Sequence, residues 1–299
     1  MSDANWLSEF PEMDASDLRA IRKTLDGAYR DFSREYGELI ESLFDPLLAF
    51  LVWFEKLLIS TPWFIILGVC TTLVYAASRS WKLAAACFGS LILIGYFGMW
   101  EDTMRTLSII IVCTMLAIAL GIPIGIAMAR SNRIQSVVTP LLDVMQTMPA
   151  FVYLIPVVML LGIGKIPGLI AVVIYAIPPV IRLTNLGIRL VDKEVLEAAT
   201  AFGASTRQRL FGVQLPLAMP TIMAGINQTI MMALSMVVIA SMIGVKGLGQ
   251  PVLKSITNQY FTLGLLNGLA IVALAILFDR ASQAYAKRTQ AHLGDSKHD

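Results

Sequence analysis

Charge is scarce in this sequence. Asp, Glu, Lys and Arg make up 15% of its 299 residues, whereas hydrophobic residues make up 57%. Soluble globular proteins carry about 25% charged residues, so this composition excludes the ordinary soluble class. A net charge of only +2 gives no reason to expect a nucleic-acid partner. The sequence therefore predicts an integral membrane protein.

Groups for redox, metal or phosphate chemistry are also scarce. Cys70, Cys87 and Cys113 all lie in apolar runs, and none has the spacing of a metal-ligand or redox motif. The sequence has no G-x-x-x-x-G-K-[ST] phosphate loop, because the glycines of residues 244–249 lack a following Lys-Ser or Lys-Thr. We therefore expect no catalytic residue, metal site or bound cofactor in this chain, which is not an enzyme by itself.

Long apolar segments are what the sequence has instead. A helix that crosses about 30 Å of hydrocarbon needs about 20 mostly apolar residues. Seven segments meet or approach this length, which predicts an all-α, polytopic membrane protein of about seven transmembrane helices. The segments are residues 62–78, 83–100, 104–129, 137–163, 166–188, 217–244 and 262–279.

Basic residues predict the orientation of these segments, because the cytoplasmic loops of membrane proteins are rich in Lys and Arg. With the N-terminus outside and the C-terminus in the cytoplasm, only Arg105, Lys165, Lys246 and Lys254 fall outside beyond the N-terminal tail. The other basic residues beyond the tail then lie inside: Arg79, Lys82, Arg130, Arg133, Arg182, Arg189, Lys193, Arg207, Arg209, Arg280, Lys287, Arg288 and Lys297. This orientation places the polar loop 189–216 in the cytoplasm.

The first 61 residues form an acidic tail, with 12 acidic and 6 basic side chains. Apolar residues recur in it at intervals of three, four or seven, the period of one helix face. They are Leu18, Ile21, Leu25, Phe32, Tyr36, Leu39 and Leu43. We expect an amphipathic helix that either rests on the membrane or a neighbouring helix, or docks an external partner.

The end of the tail, residues 46–61, is apolar but short. Sixteen residues of helix reach only about 24 Å, and Glu55-Lys56 interrupts the apolar run. We interpret this segment as an interfacial helix on the outer leaflet. If it spans instead, the N-terminus lies inside and the number of spans is eight. The domain division is thus a tail over 1–61, a transmembrane domain over 62–279 and a cytoplasmic tail over 280–299.

A charged loop, residues 189–216, stands out within the apolar chain. Its front half, Glu194 to Phe202, favours a short helix, and Gly203 permits a sharp reversal because glycine accepts a positive φ. Ser205 then suits the cap of a second short helix. The loop is predicted to form a compact pair of short helices at a glycine corner.

The order of residues in this loop resembles a family signature. Glu197-Ala198-Ala199, three residues, Gly203, nine residues and Val213-x-Leu215-Pro216 is similar to the motif of bacterial ABC-importer permeases, with Val213 where Ile is usual. Residues 140–154 and 214–225 resemble the permease subunit of a glycine betaine/proline betaine importer. The resemblance extends from Trp63 to Asp279.

The resemblance implies a function and a set of partners. It implies the type I ABC importer fold, a homodimer in the bacterial inner membrane, a cytoplasmic ATP-binding subunit that holds ATP and Mg, and an external or periplasmic substrate-binding protein. The chain would couple ATP hydrolysis to alternating access for a betaine-type osmolyte. By the resemblance, the coupling residues would be Glu197, Ala198, Ala199, Gly203, Arg207, Leu215 and Pro216.

Other interpretations of the same features stay open. The Glu-Ala-Ala loop would also suit an ordinary cytoplasmic loop, and choline, ectoine or proline would suit the same scaffold as substrate. An ion-coupled secondary transporter usually needs an intramembrane ionisable site, for which Asp143 is the candidate, and often paired internal repeats. A membrane scaffold that transports nothing is a further alternative.

Polar and aromatic residues within the apolar segments suggest a translocation path. Polar groups in membrane helices usually face protein or water rather than lipid, and prolines free carbonyl groups that need a partner at membrane depth. The candidate path residues are Gln146, Thr147, Phe151, Tyr153, Asn227 and Ser235. Hydrogen bonding between helices explains the polar ones equally well, and core packing is the alternative for the two aromatic ones.

Overall fold

The computed structural model describes residues 12–294, with side chains as far as residue 286, and all regular structure in this range is helical. The helices are α1 (Ala15–Ser60), α2 (Trp63–Ser78), α3 (Trp81–Tyr96), α4 (Trp100–Arg130), α5 (Asn132–Thr147), α6 (Ala150–Leu161), α7 (Lys165–Ala176), α8 (Pro178–Arg189), α9 (Lys193–Ala201), α10 (Thr206–Arg209), α11 (Leu215–Ala240), α12 (Gly249–Asn258) and α13 (Phe261–Gly294). A π-turn over Leu210–Gln214 and a 3₁₀ turn over Ser241–Ile243 flank α11. The predicted all-α class is confirmed. Parts of both predicted tails, residues 1–11 and 295–299, lie outside the described residues.

Each of the seven predicted segments is largely helical, but the helices differ in form. Within residues 12–294, four helices are long and apolar enough to cross a membrane, namely Trp100–Arg130, Lys165–Arg189, Thr206–Ile243 and Phe261–Ala286. Two further pairs, α1 with α2 and α5 with α6, reach that length only as bent units, at 109° and 102°. The helix α3 is apolar but has 16 residues.

The segment 137–163, predicted as one span, is two helices at a nearly right-angled bend. Met148 has an extended backbone, with φ −69° and ψ 133°, because a residue before proline is pushed out of the helical region. Pro149 then begins α6. Pro178-Pro179 has a smaller effect: it separates α7 from α8 at Ile177, but Ile177 keeps helical angles and the two helices form one span of 25 residues.

Close contact between α4, α8 and α11 builds the centre of the bundle. A Cβ atom on Gly125 would lie 2.6 Å from the Cβ of Thr184 and 2.8 Å from the carbonyl oxygen of Ile181. A Cβ on Gly225 would lie 3.1 Å from the Cα of Val180. Helices in membranes approach closely where small residues face each other. These glycines therefore fix how near α4 and α11 come to α8.

The helix α1 lies across the ends of three other helices. The hydroxyl of Tyr29 donates to the carbonyl of Pro156, and that of Ser33 donates to the carbonyl of Leu160 at 3.2 Å. Further along α1, the Nζ of Lys165 donates to Glu55 at 2.6 Å. These contacts reach the second half of α6 and the first residue of α7. The predicted amphipathic helix and the separate helix 46–61 are thus one continuous helix of 46 residues.

A cluster of ion pairs binds α1 to the end of the bundle where α4 and α7 begin. Glu55 is 8% exposed and lies between Lys165 and Arg105, whose Nε is 3.8 Å from its carboxylate. Arg105 also pairs with Glu101 and Asp102 in the first turns of α4. Because Lys165 and Arg105 belong to different helices, Glu55 joins α1 to both α7 and α4.

Candidate functional site

The polar loop forms a projecting knob, which we define as residues 193–209, comprising α9, α10 and the corner between them. The knob lies at the end of the bundle where α4 ends at Arg130 and α8 ends at Arg189; we refer to this as the arginine end. The cluster around Glu55 lies at the opposite end, where α4 and α7 begin. The two features are therefore separated by the length of the bundle.

The corner of the knob is a left-handed helix terminus. Gly203 has φ +81°, and its amide donates to the carbonyl of Thr200 at 2.9 Å, while the amide of Ala204 donates to that of Ala199 at 3.0 Å. This pair of bonds is a Schellman motif, in which glycine is the residue that accepts the left-handed conformation at little cost. The predicted reversal at Gly203 is present.

The second helix of the knob starts with a capping box. The Ser205 hydroxyl accepts from the amide of Gln208, and the Gln208 side chain accepts from the Ser205 amide at 2.8 Å. The Nη1 of Arg209 donates to the Thr200 hydroxyl at 3.0 Å, which links α10 to α9. Two short helices thus hold each other in one arrangement.

The knob is attached to two helices of the bundle. At its front, residues 190–192 connect it to α8, and the Asp192 carboxylate caps α9 through the amide of Glu194. At its rear, α10 passes through the π-turn into α11, so that Thr206–Ile243 behaves as one long helix. Leu210, Val191 and Ile222 are buried together beneath this junction. A displacement of the knob would therefore move α8 and α11.

Arg189 secures the same junction to a third helix. Its Nη2 donates to the carbonyl of Met128 at 2.8 Å and to the side chain of Asn132 at 2.9 Å. Its Nε donates to Asn185 at 3.0 Å. The last turn of α8 is therefore bound to the α4–α5 connection, close to the knob.

The outer surface of the knob combines charge with one large aromatic ring. Glu197, Ala198 and Arg207 are exposed, and neither charged residue forms an ion pair within the described part of the chain. Phe202, immediately before the glycine corner, is 93% exposed. Leu215 and Pro216 are half-buried in the first turn of α11.

Phe202 was not among the predicted site residues. An aromatic side chain buries about 150 Å² or more when it lies in a core, which stabilises the fold. At its exposed position Phe202 makes no such contribution in the isolated chain. The sequence signal was present, since Phe202 is the only aromatic residue of segment 193–209. Its exposure follows from the corner, which turns it away from the bundle.

The candidate path residues on α5 and α6 divide into two groups. Gln146, Thr147 and Phe151 are exposed around the bend, with Phe151 at 53%. Tyr153 is buried: its hydroxyl donates to the carbonyl of Met145, and its ring packs edge-on against Tyr175 at 5.9 Å. In this arrangement Tyr153 belongs to the core.

The candidate path residues on α11 also point in different directions. Asn227 donates to the Asp279 carboxylate at 2.8 Å and accepts from Ser282, so it joins α11 to α13. Ser235 is exposed, and Gln228 is exposed two turns earlier on the same face. The exposed polar stripe of α11 therefore contains Gln228 and Ser235, whereas Asn227 faces α13.

Metal-ligand geometry is not found in the described residues, where no group of three or more His, Cys, Asp or Glu side chains is placed to hold an ion. Comparison with known proteins identifies a family instead. Residues 121–291 match the family described as "Binding-protein-dependent transport system inner membrane component".

Two curated relatives illustrate the similarity. The chain is 48% identical over 243 residues to the "Glycine betaine/proline betaine transport system permease protein ProW" of Escherichia coli (strain K12), covering 80% of this chain and 67% of that protein. It is 49% identical over 232 residues to the "Glycine betaine/carnitine transport permease protein GbuB" of Listeria monocytogenes, covering 77% and 82%.

Among solved structures, the chain resembles one from "Inward facing conformations of the MetNI methionine ABC transporter", with a TM-score of 0.57 at 18% identity. The match covers 64% of this chain and 95% of that one. At this identity the likeness concerns the fold.

Proposed function

Because the chain belongs to the family of binding-protein-dependent transport system inner membrane components, we propose that it is the permease subunit of an ATP-driven importer for betaine-type osmolytes. It would work as a homodimer, with two copies flanking one path. Each copy would dock one cytoplasmic ATPase subunit that carries ATP and Mg, and an external binding protein would deliver the substrate.

The observation that carries the coupling part of this proposal is the knob. It projects from the arginine end, is held by its caps, is joined to α8 by residues 190–192 and continues into α11. Residues that dominate protein interfaces are often single aromatic side chains inserted in a pocket. Phe202, at 93% exposure, fits this role, with Glu197 and Arg207 as charged neighbours at the rim.

The knob also indicates how the chain would be oriented in the membrane. If the ATPase binds the knob, the arginine end is cytoplasmic, in agreement with the positive-inside rule. The opposite end, with α1 and the Glu55 cluster, then lies at the outer surface. The helix α1 crosses the ends of α6, α7 and α4 and is bent by 109° from α2, which suits a helix along the outer leaflet rather than an additional span.

Transport would proceed by alternating access. Closure of the two ATPases on ATP would draw the two knobs together and rotate α8 and α11 of each copy, because α11 continues directly from the knob and α8 is joined to it by only three residues, 190–192. The path between the copies would then open outward to the loaded binding protein. Hydrolysis would reset it inward.

The substrate class is supported by the relatives. Proteins named for glycine betaine/proline betaine and glycine betaine/carnitine transport are 48% and 49% identical to this chain, whereas one named for choline transport is 30% identical. All of these ligands carry a quaternary ammonium group. We therefore favour a zwitterionic betaine over choline, ectoine or proline.

Uptake by the reconstituted complex tests the proposal. The chain, its ATPase and its binding protein are placed in vesicles loaded with ATP, and labelled glycine betaine uptake is measured against unlabelled betaine, choline, ectoine and proline. Betaine should compete best. Uptake without ATPase but with an ion gradient would favour the secondary transporter, and a complete complex that moves nothing would favour the scaffold.

Substitution at the knob tests the coupling part. Phe202→Ala removes the exposed ring without disturbing any buried contact, so folding should be unchanged while affinity for the ATPase falls by about 2 kcal/mol or more, roughly 30-fold. Phe261→Ala is the matched control, because Phe261 is 78% exposed at the opposite end. Equal affinities for the two variants would contradict this role for the knob.

A further inference from the structure

An ion pair lies within the proposed membrane span. The Nη2 of Arg182 on α8 donates to the Oδ1 of Asp143 on α5. Arg182 is 17 residues from Lys165 and 7 from Arg189, which places it roughly 10 Å inside the arginine end of the span. The side chains remain 35% and 56% exposed.

Exposed charge at this depth requires a polar surrounding. A charged side chain in lipid is costly, and such residues nearly always face a protein interior or a water-filled cavity. Pairing reduces this cost but does not remove it, because both side chains remain open on one side. The exposed side of this pair must therefore face water, substrate or a second copy.

The surface of α5 around Asp143 is polar along one stripe. Ser136, Asp143 and Thr147 recur at helical spacing on one face together with Pro140, and all four are exposed. The adjacent stripe of Val137, Leu141 and Val144 is apolar and equally exposed. α5 thus presents an apolar surface suited to lipid and a separate polar surface that carries the ion pair.

The hydrogen-bonding capacity of Arg182 is not fully used. Its Nε is buried and has no acceptor among the described residues. A guanidinium offers five N–H donors in a planar fork that suits a carboxylate. The buried Nε cannot reach a ligand, but the side chain is 35% exposed and only its Nη2 is bonded, to Asp143, so the Nη groups can donate to a second anionic group.

From this geometry we propose that Asp143 and Arg182 form a contact site for a zwitterion in the translocation path. The inference rests on the proposed function, a betaine importer, and adds the residues that meet the substrate within the membrane. The substrate carboxylate binds the guanidinium of Arg182, and its quaternary ammonium group lies against the carboxylate of Asp143. One internal ion pair is exchanged for two pairs with substrate, so no charge is left unpaired.

The site also selects between ligand classes. A quaternary ammonium group cannot donate a hydrogen bond, so Asp143 attracts it by charge alone, whereas the carboxylate can bind Arg182 in a bidentate manner. A cation such as choline pairs with the carboxylate of Asp143 and so separates it from Arg182. Because choline has no carboxylate, the charge of Arg182 is then left unpaired. A zwitterion is therefore preferred over a cation of similar size.

Thiol protection in the full complex tests the site directly. In the complex with ATPase and binding protein, Thr147→Cys places a thiol one turn from Asp143 on the polar stripe, and Val144→Cys places one on the apolar stripe. A charged, water-soluble thiol reagent should modify the first at least tenfold faster than the second. Glycine betaine should slow that modification at least fivefold, and choline should protect less.

Protection should depend on both charges. Adding Arg182→Gln or Asp143→Asn to the Thr147→Cys complex should abolish protection by betaine, and Arg182→Lys should retain part of it because the charge remains. A purely structural ion pair predicts protection that is unchanged by neutralisation, and an interface between copies predicts an unreactive thiol at position 147. Either result overturns the site.

Failure of the site and failure of the proposed function are separable. If the unaltered complex imports labelled betaine but protection is absent or independent of charge, the importer stands and this site is wrong. If the unaltered complex does not import betaine, the proposed function itself is wrong.

Discussion

Substitution of Gly203 gives the sharpest test of how the knob works. The residue has φ +81°, and a Cβ placed on it would meet no atom within 4 Å. A side chain therefore causes no clash, and its whole effect comes from the left-handed backbone. For an L-residue other than glycine this conformation costs about 1–2 kcal/mol.

That magnitude sets the expected effect on coupling. If the ATPase binds only the bent knob, 1–2 kcal/mol weakens binding by a factor of about 5–30. Gly203→Ala should show this loss, Gly203→Val should exceed it because a β-branched residue is still less tolerant of positive φ, and Gly203→Asn should lose least. Hydrolysis should continue in all three while uptake per ATP falls.

The assay compares ATPase affinity and the ratio of betaine uptake to ATP hydrolysis in vesicles. Gly212→Ala serves as control, because Gly212 is in the same loop, a Cβ on it also meets no atom within 4 Å, and its φ is not positive. It should behave as the unaltered protein. Full affinity and full coupling in Gly203→Val would refute the account of the corner.

Three further substitutions test the bundle. Gly125→Leu should separate α4 from α8 and prevent stable folding in detergent, whereas Gly89→Leu, where nothing lies within 4 Å, should fold, as measured by thermal unfolding. Glu55→Gln should leave its two cationic partners facing each other and release α1 to protease, whereas the exposed Glu41→Gln should not. Asn227→Leu should lower the unfolding temperature by several degrees through loss of the bonds to α13; reduced uptake at unchanged stability would instead assign this side chain to the path.

Local sequence was sufficient to predict the knob. Helix-forming residues 194–202, a glycine that can take positive φ, and a serine three residues before Gln208 act within one or two helical turns, so their geometry does not depend on the rest of the chain. The same holds for the bend at Met148, where Pro149 excludes a helical conformation of the preceding residue. Pro178 shows the limit of this rule, since packing of the surrounding helices keeps Ile177 helical.

The direction of side chains was beyond the reach of local sequence. Tyr153 and Phe151 are two residues apart in one apolar segment, and the bend before them buries one and exposes the other. Asn227 and Gln228 are adjacent, and contact with α13 occupies only the first. Which face a helix turns to its neighbours depends on all the helices around it.

Composition, apolar segments and the spacing around the glycine corner determined from sequence alone that this is a helical membrane protein with a knob of two short helices, because these signals act over one helix or less. The tertiary structure decided that α1 is one helix at the end of the bundle opposite the knob, that Phe202 projects, and that Asp143 meets Arg182 from 39 residues away. Those outcomes depend on the contact of distant segments, and neither propensity nor periodicity encodes such contacts.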